Sequence, residues 1–530
     1  MGSVEERSIV EPIRTPLASK GFTFLEAAAL RIDPTEKKIL CRASDLECET
    51  DRGMGATCDL HTFYVPYDIL LLAVGSVPNT FGIPGVEEHA LFFKEIPDAV
   101  RFRREASERF ERASLPGISA ERARELLTFV FVGAGPTGVE LAAELHDMVK
   151  QDVARLYPAS LLEHVRIEIV DLQDFVLSSY DRRIAEYATA QFRRQTIKLN
   201  LCVRREARPS SAPGLTRRPR TRSGVQVKAV EPNVLVLADK KTGEERRIDF
   251  GVCVWCTGAL RRSLGSLESP CHAPPCRYQD EPAVLQADRR PAQGRAAKHS
   301  LAHRGQQPAR QGASSADGGC LCPQADACAA VQGSAGTIFA LGDCATIELK
   351  TAAGQAERML PADSAPLDRV SLAALLRRYS EEYPHLKEAA DRVDQEFETH
   401  AVDGGVRTPQ LAQLLSAMDR GLRTLPATAQ VAKQEGEFLA TMFTAANGDV
   451  NKLCTGELEP FSYKHKGSLA YIGEDAAVAD IPGFAILRGV FAGLVWKSFE
   501  TWSQVSLRNQ ALVFADLLRT KIFGRDLSRV

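Results

Sequence analysis

The run Thr128-Phe-Val-Phe-Val-Gly-Ala-Gly-Pro-Thr-Gly-Val-Glu-Leu-Ala-Ala-Glu144 decides the fold of this chain. Its four apolar residues Phe129 to Val132 predict a buried strand. Gly133, Gly135 and Gly138 follow at GxGxxG spacing, and from Val139 onward the pattern is helical, with small Ala142 and Ala143 early in the helix. Each glycine has a separate role. Gly133 allows the tight turn, Gly135 lets backbone approach a pyrophosphate, and Gly138 lets helix and strand pack closely. The helix start, with Pro136 and Thr137, offers unpaired N–H groups and the positive end of the helix dipole to phosphate. Strand, glycines and helix in register predict an α/β dinucleotide-binding domain.

The acidic partner of such a site ends the next strand and holds ribose hydroxyls. Val165-Arg-Ile-Glu-Ile-Val-Asp171 makes Asp171 the candidate, reached after a long helix and loop through Tyr157. A carboxylate there repels a 2′-phosphate and favours NADH over NADPH, a preference that Arg182 and Arg183 would blunt. The alternative is a solvated polar residue at a strand end.

The 530 residues are enough for two or three domains with real cores. With 66 basic and 68 acidic side chains the net charge is −2, so composition points to no nucleic-acid partner. Thirteen cysteines in this length do not make a disulfide scaffold. No uncharged stretch reaches membrane-spanning length. The N-terminus reads as neither a signal nor a transit peptide, and Glu6 stands where a myristoylation signal needs Ser or Thr.

Along the chain, Tyr67 to Gly75 reads as a buried strand and Ser76 to Gly85 as a Pro/Gly loop. Arg204 to Arg222 is a basic Pro/Ser/Arg insert with the composition of a surface loop. Residues 261–331 lose all periodicity. Their Cys271, His272, Cys276, His299, His303, Cys320, Cys322 and Cys328 match no paired metal-ligand spacing; disorder or out-of-frame sequence accounts for them better. Cys253 and Cys256 form a CxxC inside a strand, where residues three apart face opposite sides, so both read as buried small hydrophobes. Thr337-Ile-Phe-Ala-Leu-Gly-Asp-Cys-Ala345 restores order with a strand ending at Gly342 and Asp343.

Several segments together resemble the type II (rotenone-insensitive) NADH dehydrogenases, single-chain flavoproteins that pass electrons from NADH to quinone. These are Val4 to Arg14, Ala73 to Asn79, the Gly133 motif, Ala340 to Ala345, Leu425-Pro-Ala-Thr-Ala-Gln-Val-Ala-Lys-Gln434, Phe461-Ser-Tyr-Lys-His-Lys-Gly-Ser-Leu-Ala-Tyr-Ile-Gly473 and Gly524 to Arg529. The resemblance implies a two-dinucleotide-domain α/β flavoprotein, a glutathione-reductase-like Rossmann pair with a C-terminal amphipathic membrane anchor. It implies FAD and NADH as cofactors and quinone and the membrane surface as partners. A homodimer stays open, and the setting implied is the mitochondrial inner membrane, with the thylakoid as alternative.

By the same resemblance Asp343, beside Gly342, holds the flavin ribityl chain. Gln430 and Gln434, one turn apart after Ala429, face isoalloxazine and quinone; their plainer reading is a polar helix face. Glu140 sits near nicotinamide and flavin, or else only stabilises the helix N-terminus. Thr257 and Gly258 form the second strand-to-loop crossover.

The domains expected are a flavin-domain remainder (1–115), an NADH domain (116–259), a low-complexity stretch (260–332), and the returning flavin domain (333–348 and 425–447). A helical insertion without an EF-hand loop (349–424) and a membrane-association region (448–530) account for the rest. The first GxGxxGG of a flavin domain is absent, which predicts weak flavin binding and an incomplete flavin sheet. The alternative function is therefore an inactive NADH-binding remnant on the membrane. In the C-terminal part, Leu507, Ala511, Phe514, Leu518 and Ile522 form one helical stripe, and Trp496 and Trp502 suit interfacial depth.

Overall fold

A computed structural model describes residues 3–18, 20–43, 62–201, 203–204, 222–239, 242–261, 324–325, 329–331, 334, 336–347, 351–380, 382–383, 385–391, 393–402, 404–420, 425–447, 449, 452, 461–481 and 486–527. Residues 205–221 of the basic insert and the cysteines and histidines of the 261–331 stretch therefore lie outside the described residues. The chain divides into two units. One is built on an antiparallel sheet of Ala27–Asp33, Lys38–Ala43 and Thr62–Pro66; the other contains everything discussed below.

The segment expected as a long buried strand from Tyr67 to Gly75 is shorter. Strand β1 (Leu70–Leu72) pairs in parallel with Ile338–Ala340, and Leu71 stays 43% exposed. An apolar run signals that a strand is possible, but covering its face takes neighbouring elements.

The central domain is a five-stranded parallel sheet. Its spatial order is β2 (Leu91–Phe92), then Val252–Trp255, then β3 (Thr128–Val132), β4 (Arg166–Val170) and β5 (Lys198–Asn200). The Val252–Trp255 strand is β6. Helix α1 (Pro136–Met148) follows β3, and helix α2 (Arg182–Arg194) follows β4. The central strand is buried on both faces, which is why it reads as an unbroken apolar run. Phe129, Phe131, Val252 and Val254 pack with the helices. Val130, Val132, Cys253 and Trp255 pack against an antiparallel meander of Val225–Glu231, Val234–Asp239 and Glu245–Asp249. Each buried phenylalanine here is worth about 3–5 kcal/mol against alanine. Cys253 and Cys256 face opposite sides as the strand period requires. Burial pushes the Cys253 thiol up to about 12 and raises Cys256 as well, so neither is a ready thiolate.

Strand β7 (Ile338–Ala340) leads into the Gly342–Cys344 turn, which packs against helix α3 (Ala429–Ala446). Between them the insertion folds, among the described residues, as five α-helices around its own core, including Leu372, Leu376, Tyr383, Leu411, Leu414 and Leu415. It holds two helix–loop–helix units whose loops are joined where Leu367 and Val406 exchange both backbone hydrogen bonds at 2.9 Å. Asp419 ties the ends together by accepting the Ala352 and Ala353 N–H groups and lying 3.0 Å from His385 Nε2.

The C-terminal part begins as an antiparallel sheet of β8 (Ser468–Gly473), β9 (Ala476–Asp480) and β10 (Leu487–Gly489). Ala470, Tyr471, Ile472 and Val478 belong to the same core as Phe129 and Leu145, so this hairpin is part of the packing of the five-stranded domain. Helices α4 (Val490–Trp502) and α5 (Leu507–Phe523) follow. Among the described residues no helix is long and apolar enough to cross a membrane.

Candidate functional site

Gly133 and Gly138 are needed where they stand, and Gly135 lies open. Gly133 has φ +116°, in the region that favours glycine, and a Cβ there would lie 3.0 Å from the Cys256 carbonyl and from Thr257. A Cβ on Gly138 would lie 2.0 Å from the Gly133 carbonyl oxygen, so the close helix–strand approach needs glycine. Nothing lies within 4 Å of a Cβ built on Gly135, which leaves an open approach to its backbone. Pro136 occupies the first helical position and Thr137 is exposed beside it. On the neighbouring crossover Gly258 has φ +76° and packs against Phe81 and Asn79.

Asp171 follows the last residue of β4. Its Oδ2 accepts the Ala134 N–H at 2.6 Å and its Oδ1 accepts the Gln173 N–H at 2.8 Å. The carboxylate is thus a fixed part of the glycine turn rather than a loose polar side chain. Arg183, considered with it from sequence, instead pairs with Asp181 and lines a cavity of about 300 Å³ with Arg488, Tyr187 and Val478.

Glu140 lies in the first turns of α1 and accepts the Tyr471 N–H at 3.0 Å. Burial is the main reason its carboxyl is pushed up to about 7; Glu500 and Glu144 push the same way, and the Tyr471 hydrogen bond opposes them. It lines a cavity of about 1240 Å³ together with Thr137, Glu144, Trp496, Thr501 and residues of α5. The sequence predicts interfacial depth for Trp496, but its ring stacks on Tyr471 with centroids 5.1 Å apart. It lies there because α4 packs one side onto the hairpin. Trp502 is 79% exposed, as expected, and so are Leu507, Phe514, Leu518 and Ile522.

Asp343 sits in the turn after β7. Its Oδ2 accepts from the Ser76 hydroxyl and the Lys94 ammonium, each at 3.0 Å. Glu435 on α3 accepts the Gly342 N–H at 2.5 Å. Ala429 opens α3, whose Thr428 cap accepts the Val431 N–H. The two glutamines share a face, as their spacing requires, and both hold one strap. The Gln430 amide oxygen accepts from the Tyr463 hydroxyl and Lys466 N–H, and its nitrogen donates to Gly467. Gln434 exchanges two hydrogen bonds of 2.9 Å with the Lys464 backbone.

Lys94, Ser76, Tyr471 and Asp147 are absent from the residues picked out by sequence. Asp147 carries a usable signal, because it lies seven positions after Glu140 and so shares its helix face. Lys94 carries none, since only the fold brings it to Asp343. Arg525, within the Gly524–Arg529 motif, is 7% exposed in its side chain and pairs with Asp152 at 3.0 Å and Glu144 at 3.3 Å.

Known proteins are similar to this chain along its length. A family model described as the NDH2 C-terminal domain matches residues 465–526, and one described as pyridine nucleotide-disulphide oxidoreductase matches residues 3–272. The chain is 32% identical to the mitochondrial external alternative NAD(P)H-ubiquinone oxidoreductase B4 of Arabidopsis thaliana, over 100% of this chain and 81% of the relative. It is 28% identical to the mitochondrial external alternative NADH-ubiquinone oxidoreductase of Yarrowia lipolytica, over 100% and 73%. In fold it matches NDH2 from Plasmodium falciparum, solved in complex with NADH, at TM-score 0.69 and 22% identity over 99% of this chain and 90% of that one. The sulfide:quinone oxidoreductase of Aquifex aeolicus has the same fold at TM-score 0.50 and 12% identity, over 98% and 84%. Glycine turn, strand-end aspartate, glutamine face and Arg525 clamp thus fall inside matches that run the length of the chain, and the chain belongs to the type II NADH dehydrogenase (NDH2) family.

Proposed function

We propose that this protein is a non-proton-pumping NADH:quinone oxidoreductase, taking hydride from NADH through FAD and delivering two electrons to a membrane quinone. The observation that carries the reading is one helix, α1. Its first turn closes the glycine loop of a dinucleotide site, and the same turns place Glu140 in the wall of a large cavity lined by the C-terminal helices.

In this reading Gly133, Gly135, Pro136, Thr137 and Gly138 receive the diphosphate, and Asp171 holds the adenosine ribose hydroxyls of NADH. Thr257 and Gly258 border the nicotinamide end. The residues present suit the ribityl end of FAD, since Asp343 already accepts one hydroxyl, from Ser76, at 3.0 Å. Asp343, Gly342 and Ala429 would hold it, and FAD when bound supplies the two-electron relay. Gln430 and Gln434 keep the Tyr463–Gly467 strap fixed beside that end. Glu140, poised near neutrality, can hold or release a proton as quinone is reduced. The relatives give the inactive-remnant alternative no support.

The exposed apolar side chains Phe491, Leu494, Trp502, Phe514 and Ile522 suit docking on a bilayer without crossing it. The relatives' mitochondrial setting makes the inner membrane the expected surface. The test is NADH oxidation by purified, FAD-supplemented protein with a long-chain quinone held in vesicles or a short-chain quinone in solution. A Phe491→Glu/Leu507→Glu double variant, both positions exposed and outside the lining of the Glu140 cavity, is expected to lose most of the vesicle reaction and keep the soluble one. Loss of neither would refute the docking surface, and no quinone reduction by the parent protein would refute the function.

A further inference from the structure

The carboxylates of α1 that face the C-terminal hairpin are each held by a different group. Glu140 accepts the Tyr471 N–H. Two turns on, Asp147 is fully buried and accepts the Tyr471 hydroxyl at 2.5 Å, the Glu474 N–H at 2.9 and 3.0 Å, and lies 3.3 Å from His146 Nδ1. The Tyr471 oxygen in turn accepts the Asp475 N–H at 3.0 Å, closing the turn between β8 and β9. Glu144, between them, faces Arg525. Tyr471 therefore touches α1 at both ends: its backbone on Glu140, its hydroxyl on Asp147. Its ring is pressed between these contacts by Trp496 of α4.

An amide hydrogen bond 3.0 Å long is sensitive to a shift of a few tenths of an ångström in strand register. Nothing in the strand ladder alone fixes β8 along the axis of α1. The bond to Asp147 does, because a buried carboxylate bonded to a hydroxyl and an N–H has one favourable arrangement and a high cost for leaving it. We infer that Asp147 and Tyr471 are positioning residues for Glu140: Asp147 anchors the Tyr471 hydroxyl, and that anchor keeps the Tyr471 N–H on the Glu140 carboxylate.

This rests on the reading of Glu140 as the carboxylate of the reaction site. Among the described residues, the charged or titratable groups that act on Glu140 or feel its charge are Glu144 from α1, Glu500 from α4 and Tyr180 from the loop before α2, and none of these three supplies a positive charge. The Tyr471 N–H and the Trp496 side chain are the donors that favour the ionised form. Loosening the first leaves burial and two neighbouring carboxylates to dominate, so Glu140 holds its proton to higher pH.

The experiment is an infrared pH titration of the flavin-loaded protein, following the protonated-carboxyl band that disappears in Glu140→Gln. In Tyr471→Phe the midpoint of that band is expected to move up by about one pH unit, the effect of weakening one charge-assisted hydrogen bond. Asp147→Asn, which still accepts from Tyr471, is expected to move it in the same direction by less. It also keeps the question open to measurement if Tyr471→Phe is poorly folded. A midpoint unmoved in both variants would overturn the inference, including where melting temperature falls, since a purely structural role predicts that pattern. Wild-type turnover in Glu140→Gln would instead overturn the functional reading of Glu140, while the infrared shift still judges the anchor.

Discussion

Replacing Gly138 by alanine separates the packing role of the dinucleotide loop from its binding role. The added Cβ would stand 2.0 Å from the Gly133 carbonyl oxygen and 3.1 Å from its carbon. Both are backbone atoms, so no side chain can swing away. Overpacking of this kind costs about 1–3 kcal/mol, and a clash against backbone belongs at the upper end. Alanine regains up to about 1 kcal/mol of helix propensity, leaving a net loss of about 2 kcal/mol. Relief requires α1 to slide from β3 or the Gly133 turn to open, and either moves the N–H groups that receive the diphosphate. Affinity for NADH should therefore fall at least about tenfold, the equivalent of 1.4 kcal/mol. Gly135→Ala is the internal control. Its φ of −71° suits any residue and its Cβ meets nothing within 4 Å, so stability should change by less than about 0.5 kcal/mol. Its methyl group stands in the open approach, so NADH affinity should still fall. Denaturant unfolding and equilibrium NADH titration of both variants give the four numbers. Unchanged stability in Gly138→Ala, or a stability loss in Gly135→Ala equal to it, would refute the reasoning.

Arg525→Ala should destabilise by about 3–5 kcal/mol, because it removes the nearly buried guanidinium that pairs with the nearly buried Asp152 and with Glu144; denaturant unfolding checks it, and a loss below about 1 kcal/mol would show that the pairs are solvent-screened. Glu140 is raised from an ordinary value near 4.5 to about 7 in the folded protein. The folded state therefore binds more protons between those values, and stability from this group is greatest at low pH and declines as pH rises from about 4.5 to 7. Glu140→Gln should flatten that part of the stability–pH curve, and an unchanged slope would contradict the assignment. Millimolar calcium should leave the melting temperature within error, since the loops joined at Leu367 and Val406 lack the alternating oxygen ligands of an EF-hand; a clear upward shift would contradict this.

The sequence carries the central strand, glycine turn and following helix almost whole, because their signals are local. An apolar run buried on both faces, glycines at fixed spacing and a strand-end aspartate all describe contacts made within a few residues of one another. The site around Glu140 is less legible. Tyr471 lies 331 positions away from it and Asp343 lies 249 from Lys94, and no local pattern encodes a pairing across such distances. Trp496 shows the limit in another way. An aromatic on an amphipathic helix suits a membrane interface or a core equally well, and only the packing of α4 on the hairpin chooses. The glutamine pair is intermediate: spacing puts both on one face, but not against a strap whose backbone fills their hydrogen bonds. The insertion is legible as helices, while the exchange between Leu367 and Val406 that joins its two halves rests on non-local backbone geometry.

The most direct test of the account is the stoichiometry of NADH oxidised to quinone reduced, measured anaerobically with the FAD-supplemented protein on quinone-bearing vesicles. A ratio of one to one, with the rate strongly reduced in Glu140→Gln, is the predicted result. NADH binding without any quinone reduction, or full turnover in Glu140→Gln, would contradict it.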